Sequence, residues 1–491
     1  MNRLLRSYVC ILCPAVLALT AGCLPREMVF WSPDGQVAAV TASAGLFFID
    51  GEGKILGKTD ITASGVSWFE DSKRLAIARN EPVATWSKLQ PYMSEHDRKQ
   101  VVKESAELLD EIRSLKGNIE NWQPQGSYRD IVSDLIYLKD THSQELRGLL
   151  GEKWKEIQEI SRNVSALHTY RFQSNKLVDG RQLLACLNTI QSVRVSPDGK
   201  AVAYTTENPK PTGKESDQPS DFTLWVVSES SPLASSAQEG KVPLQLVGHA
   251  GMYFDWFADS RRLACINHPS DSREISTIEV IEAAAAASAS GKEPQAPQQS
   301  MVLARAITPP ASQIVVMADD KIVFVSGQMT LPAVDDAEPI CSLFAVDGEG
   351  KNLTVLREAK SREDSIVYHV SRSGDRKRIA FQQGNRLGMV DTSGKAVMLA
   401  QEIRGDNNNL TPAIPAWRGN DEVVFQSAAK DGRPGRAELY LWSPDKGESN
   451  SVRCISETWP DELVKGLLWA PPQPASEPAS GPASQAATVP G

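Results

Sequence analysis

Met-Val-Phe-Trp-Ser-Pro-Asp-Gly-Gln-Val-Ala-Ala-Val, residues 28–40, is the stretch from which the fold of this chain is read. It is an apolar strand, a tight turn and a second apolar strand. Pro33 presets φ at the first corner, Asp34 favours the second, and Gly35 can take positive φ before the chain returns. The phrase recurs at residues 193–204, with Pro197, Asp198 and Gly199 in the turn. Residues 66–77 keep Trp68, Asp71 and Ala76; residues 254–266 keep Trp256, Asp259 and Ala264. The spacing from Trp to Ala is constant: Trp31 to Ala39, Trp68 to Ala76, Trp256 to Ala264. In the copy at 193–204, Val195 takes the Trp place and Ala203 keeps the spacing. Three weaker copies follow. Residues 314–325 have a shorter turn at Asp319-Asp320, residues 367–381 a turn two residues longer, and residues 413–425 centre on Trp417 and Gly419-Asn420.

Seven such hairpins demand a repeat architecture. A lone two-stranded hairpin is marginal in water, and repeats are stable when neighbours bury each other's faces. A second motif follows most of them. Leu-Phe-Phe-Ile-Asp50 leads into Gly-Glu-Gly-Lys54, Leu-Phe-Ala-Val-Asp347 into Gly-Glu-Gly-Lys351, and Leu-Gly-Met-Val-Asp391 into Thr-Ser-Gly-Lys395. Each unit therefore has two inner strands, a third strand, a Gly turn and a fourth strand. Four antiparallel strands repeated radially make a propeller blade. The expected fold is mainly β, a β-propeller of seven four-stranded blades. The Ser-Pro-Asp-Gly-Lys signature resembles the WD-repeat-like blades of the TolB family and of the propeller domains of prolyl-oligopeptidase relatives, across residues 28–457 apart from insertions. That resemblance implies a fold and leaves function open, because propellers host many unrelated activities.

Residues 1–22 read as a targeting segment. Arg3 and Arg6 are basic, and residues 7–20 are mostly apolar but short for a membrane span. The run Leu-Thr-Ala-Gly-Cys23 resembles the lipobox of bacterial lipoproteins, with Thr20 where the family carries Leu. The resemblance implies a lipid on Cys23 as membrane anchor. No Asp follows Cys23, which by the same resemblance implies the periplasmic side of the outer membrane. The other reading is an ordinary signal peptide followed by a chance cysteine.

Net charge is −9, which argues against a broad basic surface for nucleic acid. Four cysteines remain after Cys23: Cys186, Cys265, Cys341 and Cys454. The expected compartment permits disulfides, but Cys265 and Cys341 sit in apolar strands of different repeats, and buried thiols are the preferred reading.

Residues 81–170 interrupt the second blade, and the apolar period changes from 2 to about 3.5 there. Ser94 is the expected N-cap, with Glu95 and Asp97 in the first turn. One stripe runs through Val101, Leu108, Ile112, Leu115, Ile119 and Trp122. A second begins at Tyr128 and Ile131, includes His142, and continues to Leu167, with a break near Gly148 or Gly151. An antiparallel helical hairpin of coiled-coil type is expected. It either covers the propeller edge or projects toward a protein partner. The remaining divisions are residues 23–80 and 171–470 for the propeller, linkers at 208–220 and 282–300, and a Pro/Ala/Ser-rich tail at 471–491. Residues 467–471 resemble the end of an inner strand, so a closing strand or an eighth blade stays open.

Chemistry is not announced by motif. The chain has no Gly-x-Ser-x-Gly elbow, His-Glu-x-x-His or P-loop. Asp34, Asp71, Asp198 and Asp259 are explained by their turns, without calcium. The Trp register is read as wedge-filling between blades in preference to a sugar-stacking stripe. The expectation is therefore a lipid-anchored envelope propeller that binds protein, through the helical insert or a propeller face, with no cofactor or metal and no catalysis. The alternative is an enzyme or carbohydrate-binding propeller using the central funnel. Acidic and basic groups converging at the funnel would favour that alternative.

Overall fold

The structure is a computed structural model that describes residues 27–115, 130–208, 222–229, 243–268, 275–283, 300–308, 312–327, 340–361, 363–402, 414–428, 437–446, 451–461 and 463–464. The targeting segment, Cys23, most of the two linkers, Trp122 and its neighbouring turn, residues 467–471 and the tail lie outside these residues.

Seven blades follow one another. Blade 1 is Val29–Trp31, Val37–Ala42, Gly45–Asp50 and Ile55–Thr59, paired in that order, all antiparallel. Blade 2 is Ala63–Trp68, Arg74–Val83, Arg162–Gln173 and Lys176–Cys186. Blades 3 and 4 share the long strand Leu244–Trp256. Its first half pairs with Phe222–Ser228 as the outer strand of blade 3, and its second half pairs with Arg262–Asn267 as the inner strand of blade 4. Blades 5, 6 and 7 begin with the inner strands Ile314–Val316, Ile366–Arg372 and Ala416–Arg418, each heading a four-stranded sheet. The inner strands touch one another in sequence order, and that of blade 7 touches that of blade 1, so the ring is closed.

The turns show why the repeated phrase folds this way. In blade 1 the Gly35 amide donates to the Ser32 carbonyl at 2.8 Å, and Asp34 Oδ1 accepts from the Gln36 amide and the Ser32 hydroxyl. Gly35 has φ +68°; Ser72, Ser260, Asp320 and Arg376 take the same left-handed place in their own turns. This corrects the reading of residues 367–381. Arg372 pairs with Ile379 at the same seven-residue spacing as Trp31 with Ala38, so that turn is not longer. Ser373 and Asp375 keep the bracing hydroxyl and carboxylate, while Arg376 stands where blade 1 has glycine.

The Trp–Ala spacing also acquires a cause. Trp68, Trp256 and Trp417 each pack on the preceding blade, against Ala39, Ala203 and Ala380 respectively. A small side chain there leaves room for the indole of the next blade.

The interruption of blade 2 is narrower than 81–170, because one strand runs to Val83 and the next starts at Arg162. Helix Glu95–Ser114 forms the first arm, and the Ser94 hydroxyl accepts from the Asp97 amide at 3.1 Å. The second arm is broken into Ile131–Thr141, Ser143–Leu150 and Trp154–Glu159. Breaks fall at His142, which bonds Thr141 and joins two helices, and at Gly151, which has φ +54°. The insert has its own core around Leu108, Ile112, Leu135 and Leu146. Its base, with Leu89, Met93 and Ile136, is packed on Val83 and Val164 of blade 2.

Candidate functional site

The inner strands carry the candidate site. Their Trp residues belong to the interfaces between blades. Trp68 Nε1 donates to the Phe30 carbonyl at 2.8 Å, Trp256 Nε1 to that of Arg194 at 3.1 Å, and Trp417 Nε1 to that of Ser371 at 3.0 Å. One residue earlier in each strand, Phe30, Ser67, Arg194, Asp255, Val315, Ser371 and Ala416 line a central cavity of about 490 Å³. The hairpin turns supply part of its wall through Pro33, Glu70, Asp375 and Asn420. The cavity therefore runs along the inner strands to the end of the ring where the repeated turns lie.

Two ion pairs cross it. Asp255 of blade 4 is buried and accepts four hydrogen bonds. Arg372 of blade 6 gives two, at 2.6 and 3.1 Å; the Val316 amide of blade 5 gives one at 2.9 Å, and the Trp256 amide another. Burial opposes the Asp255 charge, but the Arg372 and Arg376 guanidiniums and the amide donor outweigh it and hold its pKa below the usual carboxylate range. Arg376 in turn donates to the Trp256 carbonyl at 2.8 Å. The second pair is Arg194 of blade 3 with Glu27, just ahead of the first strand. Gln313, ahead of blade 5, reaches the same Glu27 oxygen at 3.4 Å. A carboxylate from ahead of the first strand that meets groups of blades 3 and 5 lies in the middle of the ring.

Three buried polar atoms in the cavity wall have no protein partner: Trp31 Nε1, Gln313 Oε1 and Ser371 Oγ. Trp31 stands at the seam between blades 7 and 1. Its ring lies 5.3 Å from the Arg418 guanidinium, and its N–H lacks the carbonyl that the other three indoles find. The wall thus combines polar side chains with carboxylates and guanidiniums. That composition suits a polar ligand and supplies groups capable of acid–base chemistry.

The other residues singled out from sequence fall elsewhere. Asp71 accepts from the Lys73 and Arg74 amides and the Arg74 side chain, and Asp259 repeats this with Arg261 and Arg262. Asp198 accepts from Ser196 and the Lys200 amide, and Gly199 has φ +69°. Among the described residues, no group of three or more His, Cys, Asp or Glu could hold a metal ion. His369 is buried on an inner strand outside the cavity wall, and burial pulls its pKa down to about 4. The four cysteines carry thiols without disulfides, and burial pushes Cys186 up to about 12. No helix among the described residues is long and apolar enough to cross a membrane.

No protein-family model matches the chain, and no curated protein matches it. Solved structures do. A putative TolB from Agrobacterium tumefaciens is similar at 13% identity and TM-score 0.34, over 56% of this chain and 84% of that one. An oligogalacturonate lyase from Vibrio parahaemolyticus is similar at 13% identity and TM-score 0.41, over 75% and 78%. A prolyl endopeptidase is similar at 11% identity and TM-score 0.45, over 90% of this chain and about half (51%) of that one. At these identities the likeness concerns architecture alone. The expectation that the chain catalyses nothing is corrected here. The condition set for the alternative was a convergence of acidic and basic groups at the funnel, and Glu27, Asp255, Arg194 and Arg372 converge there.

Proposed function

We propose that this chain is an envelope propeller whose central cavity takes a hydroxyl-rich ligand of the carbohydrate class. The observation that carries the reading is the convergence of Arg194, Asp255, Arg372, Glu27, Gln313 and Ser371 on one cavity wall. A concave wall with a few converging polar and charged side chains suits a ligand that carries several hydroxyls. The test is calorimetric titration of the mature chain with neutral oligosaccharides, followed by Ser371→Val and Gln313→Leu. Each change should weaken binding about tenfold, the equivalent of one hydrogen bond. Absence of binding across such a panel would sink the reading.

Anchoring through a lipid on Cys23 belongs to the same proposal and rests on the lipobox-like run ending at Gly22. Palmitate labelling that persists in Cys23→Ala would refute it. A protein contact through the insert is the second reading. It is favoured by Val102, 44% exposed on helix Glu95–Ser114 between the ion pairs Lys99–Glu95 and Lys103–Glu107. Capture of the same proteins by Val102→Asp as by the unaltered chain would remove it.

A further inference from the structure

We infer that Arg194 is the carboxylate-binding group of the central cavity, that its ligand is an acidic sugar, and that Glu27 of the chain itself occupies this subsite in place of the ligand. The inference rests on the proposed role of the cavity as a sugar site.

The geometry is specific. Arg194 is the fifth of six residues in strand Ile190–Val195 and is flanked by Val193 and Val195. Its guanidinium donates to the Val193 carbonyl at 3.0 Å and to Glu27. Both side chains of the pair keep about a fifth of their surface accessible, 23% for Arg194 and 20% for Glu27. The other guanidinium pair is built differently. Asp255 is held by four donors from three blades and closes on itself. Glu27 is in no blade; it reaches the axis from the residues ahead of the first strand. Next to its carboxylate stands Gln313, 3% exposed, whose amide nitrogen reaches the same Glu27 oxygen at 3.4 Å. An arginine presents a fork of donors that fits a carboxylate, and a neighbouring amide nitrogen can donate to a hydroxyl on the same ligand. A sugar acid carries both groups on one ring. A peptide carboxylate satisfies Arg194 alone.

A tethered carboxylate competes at an effective concentration in the millimolar range or above, so its removal should tighten binding of a free one by about tenfold or more. The experiment titrates the full mature chain and Glu27→Gln with a glucuronate-containing disaccharide, its neutral glucose counterpart, and an acetylated, amidated glutamate peptide. The expected result is a gain of about tenfold for the uronate in Glu27→Gln, with the neutral sugar unchanged. Adding Arg194→Gln to Glu27→Gln should abolish the uronate gain and leave neutral-sugar binding intact. Should Glu27→Gln not fold, Arg194→Gln alone serves, because it must remove uronate binding selectively from the otherwise unaltered chain. Equal binding of acidic and neutral sugars would overturn the inference and leave the sugar site standing. Failure of every sugar would overturn both. A gain confined to the glutamate peptide would overturn the assignment to a sugar acid.

Discussion

The indole N–H of Trp256 donates to the carbonyl of Arg194 at 3.1 Å. One bond therefore ties the packing of blade 4 on blade 3 to the strand that carries the central arginine. Trp256→Phe should keep most of the buried ring and lose that bond, at a cost of about 1 kcal/mol. Trp31→Phe at the seam removes an N–H that has no partner and should cost less. Urea unfolding of the two variants checks the order, and a larger loss for Trp31→Phe would contradict this account of the interfaces.

Asp255→Asn should be costly, because Arg372 would keep its charge in the cavity without a counter-ion. Loss of one partner of a buried pair costs about 3–5 kcal/mol, and the lower end applies because Arg372 is partly exposed. The pH dependence has a definite sign. The folded pKa of Asp255 is depressed, so its contribution is complete above the unfolded carboxylate value of about 3.9 and is lost as pH falls through the lower folded value. Asp255→Asn should flatten the acid limb of the stability curve. An unchanged limb would mean that other carboxylates govern it.

Much of this was legible in the chain. Trp–Ala spacing marks the hairpins because an indole needs a small residue to sit on, and the structure supplies the pairs Trp68 on Ala39 and Trp256 on Ala203. The cavity residues were legible in principle: Arg194 and Asp255 are charges flanked on both sides by apolar residues of an inner strand, each one place before the Trp register. No contiguous catalytic motif carries that signal, because these groups come from separate blades. Glu27 carries no local signal, since only the closed ring brings it to Arg194. The broken second arm was hidden because Leu146 and Leu150 continue the stripe across a break that backbone geometry at His142 imposes.

Asp134 in the insert has the opposite sign to Asp255. Its side chain is buried with Oδ2 unpaired; burial first, then the charges of Glu104 and Asp130, raise its pKa to about 7, against a weak opposing bond from Ser105. The folded state therefore holds a proton that the unfolded chain releases near pH 3.9, so this site costs stability as pH rises from about 4 to about 7. Asp134→Asn should raise the melting temperature at pH 8 and change little at pH 4. Equal effects at both pH values would show that the carboxyl does not titrate in this window.

The insert is anchored, so deleting it should have a thermodynamic cost. A cut at residues 91–167 would remove Arg162 to Leu167 of a blade 2 strand, so the clean deletion is residues 84–161 with a short Gly/Ser link. That deletion uncovers Val83 and Val164, worth about 1.5–3 kcal/mol for each fully buried side chain. The melting temperature should fall while the far-ultraviolet strand signal persists. An unchanged melt would show that the base of the insert contributes nothing to blade 2.

Closure of the ring rests on side chains, because blades 1 and 7 each draw all four strands from their own segment and exchange none. The tie is the stretch after the last strand. Trp459 is buried and donates to the Gly53 carbonyl at 2.6 Å, and Ile455, Leu463 and Val464 join Val29, Val40 and Ile49 of blade 1 in one core. Arg453 adds a bond to the Gly51 carbonyl and an ion pair with Glu52, and Arg418 reaches Gly35 and Gly51. Gly53 has φ +82°, and a Cβ there would meet the Ile455 carbonyl oxygen at 2.0 Å, so no larger residue fits without moving the clasp. Trp459→Ala should cost about 3–5 kcal/mol, and Trp459→Phe only about 1 kcal/mol. The loss should be local before it is global. Hydrogen exchange should quicken first in Val29–Trp31 and Ala416–Arg418, which face each other across the seam, and later in the inner strands of blades 3 to 5. Gly53→Ala should reproduce the same pattern without touching the tryptophan. Uniform acceleration around the ring would show that the blades unfold as one unit and that the clasp is no special point of closure.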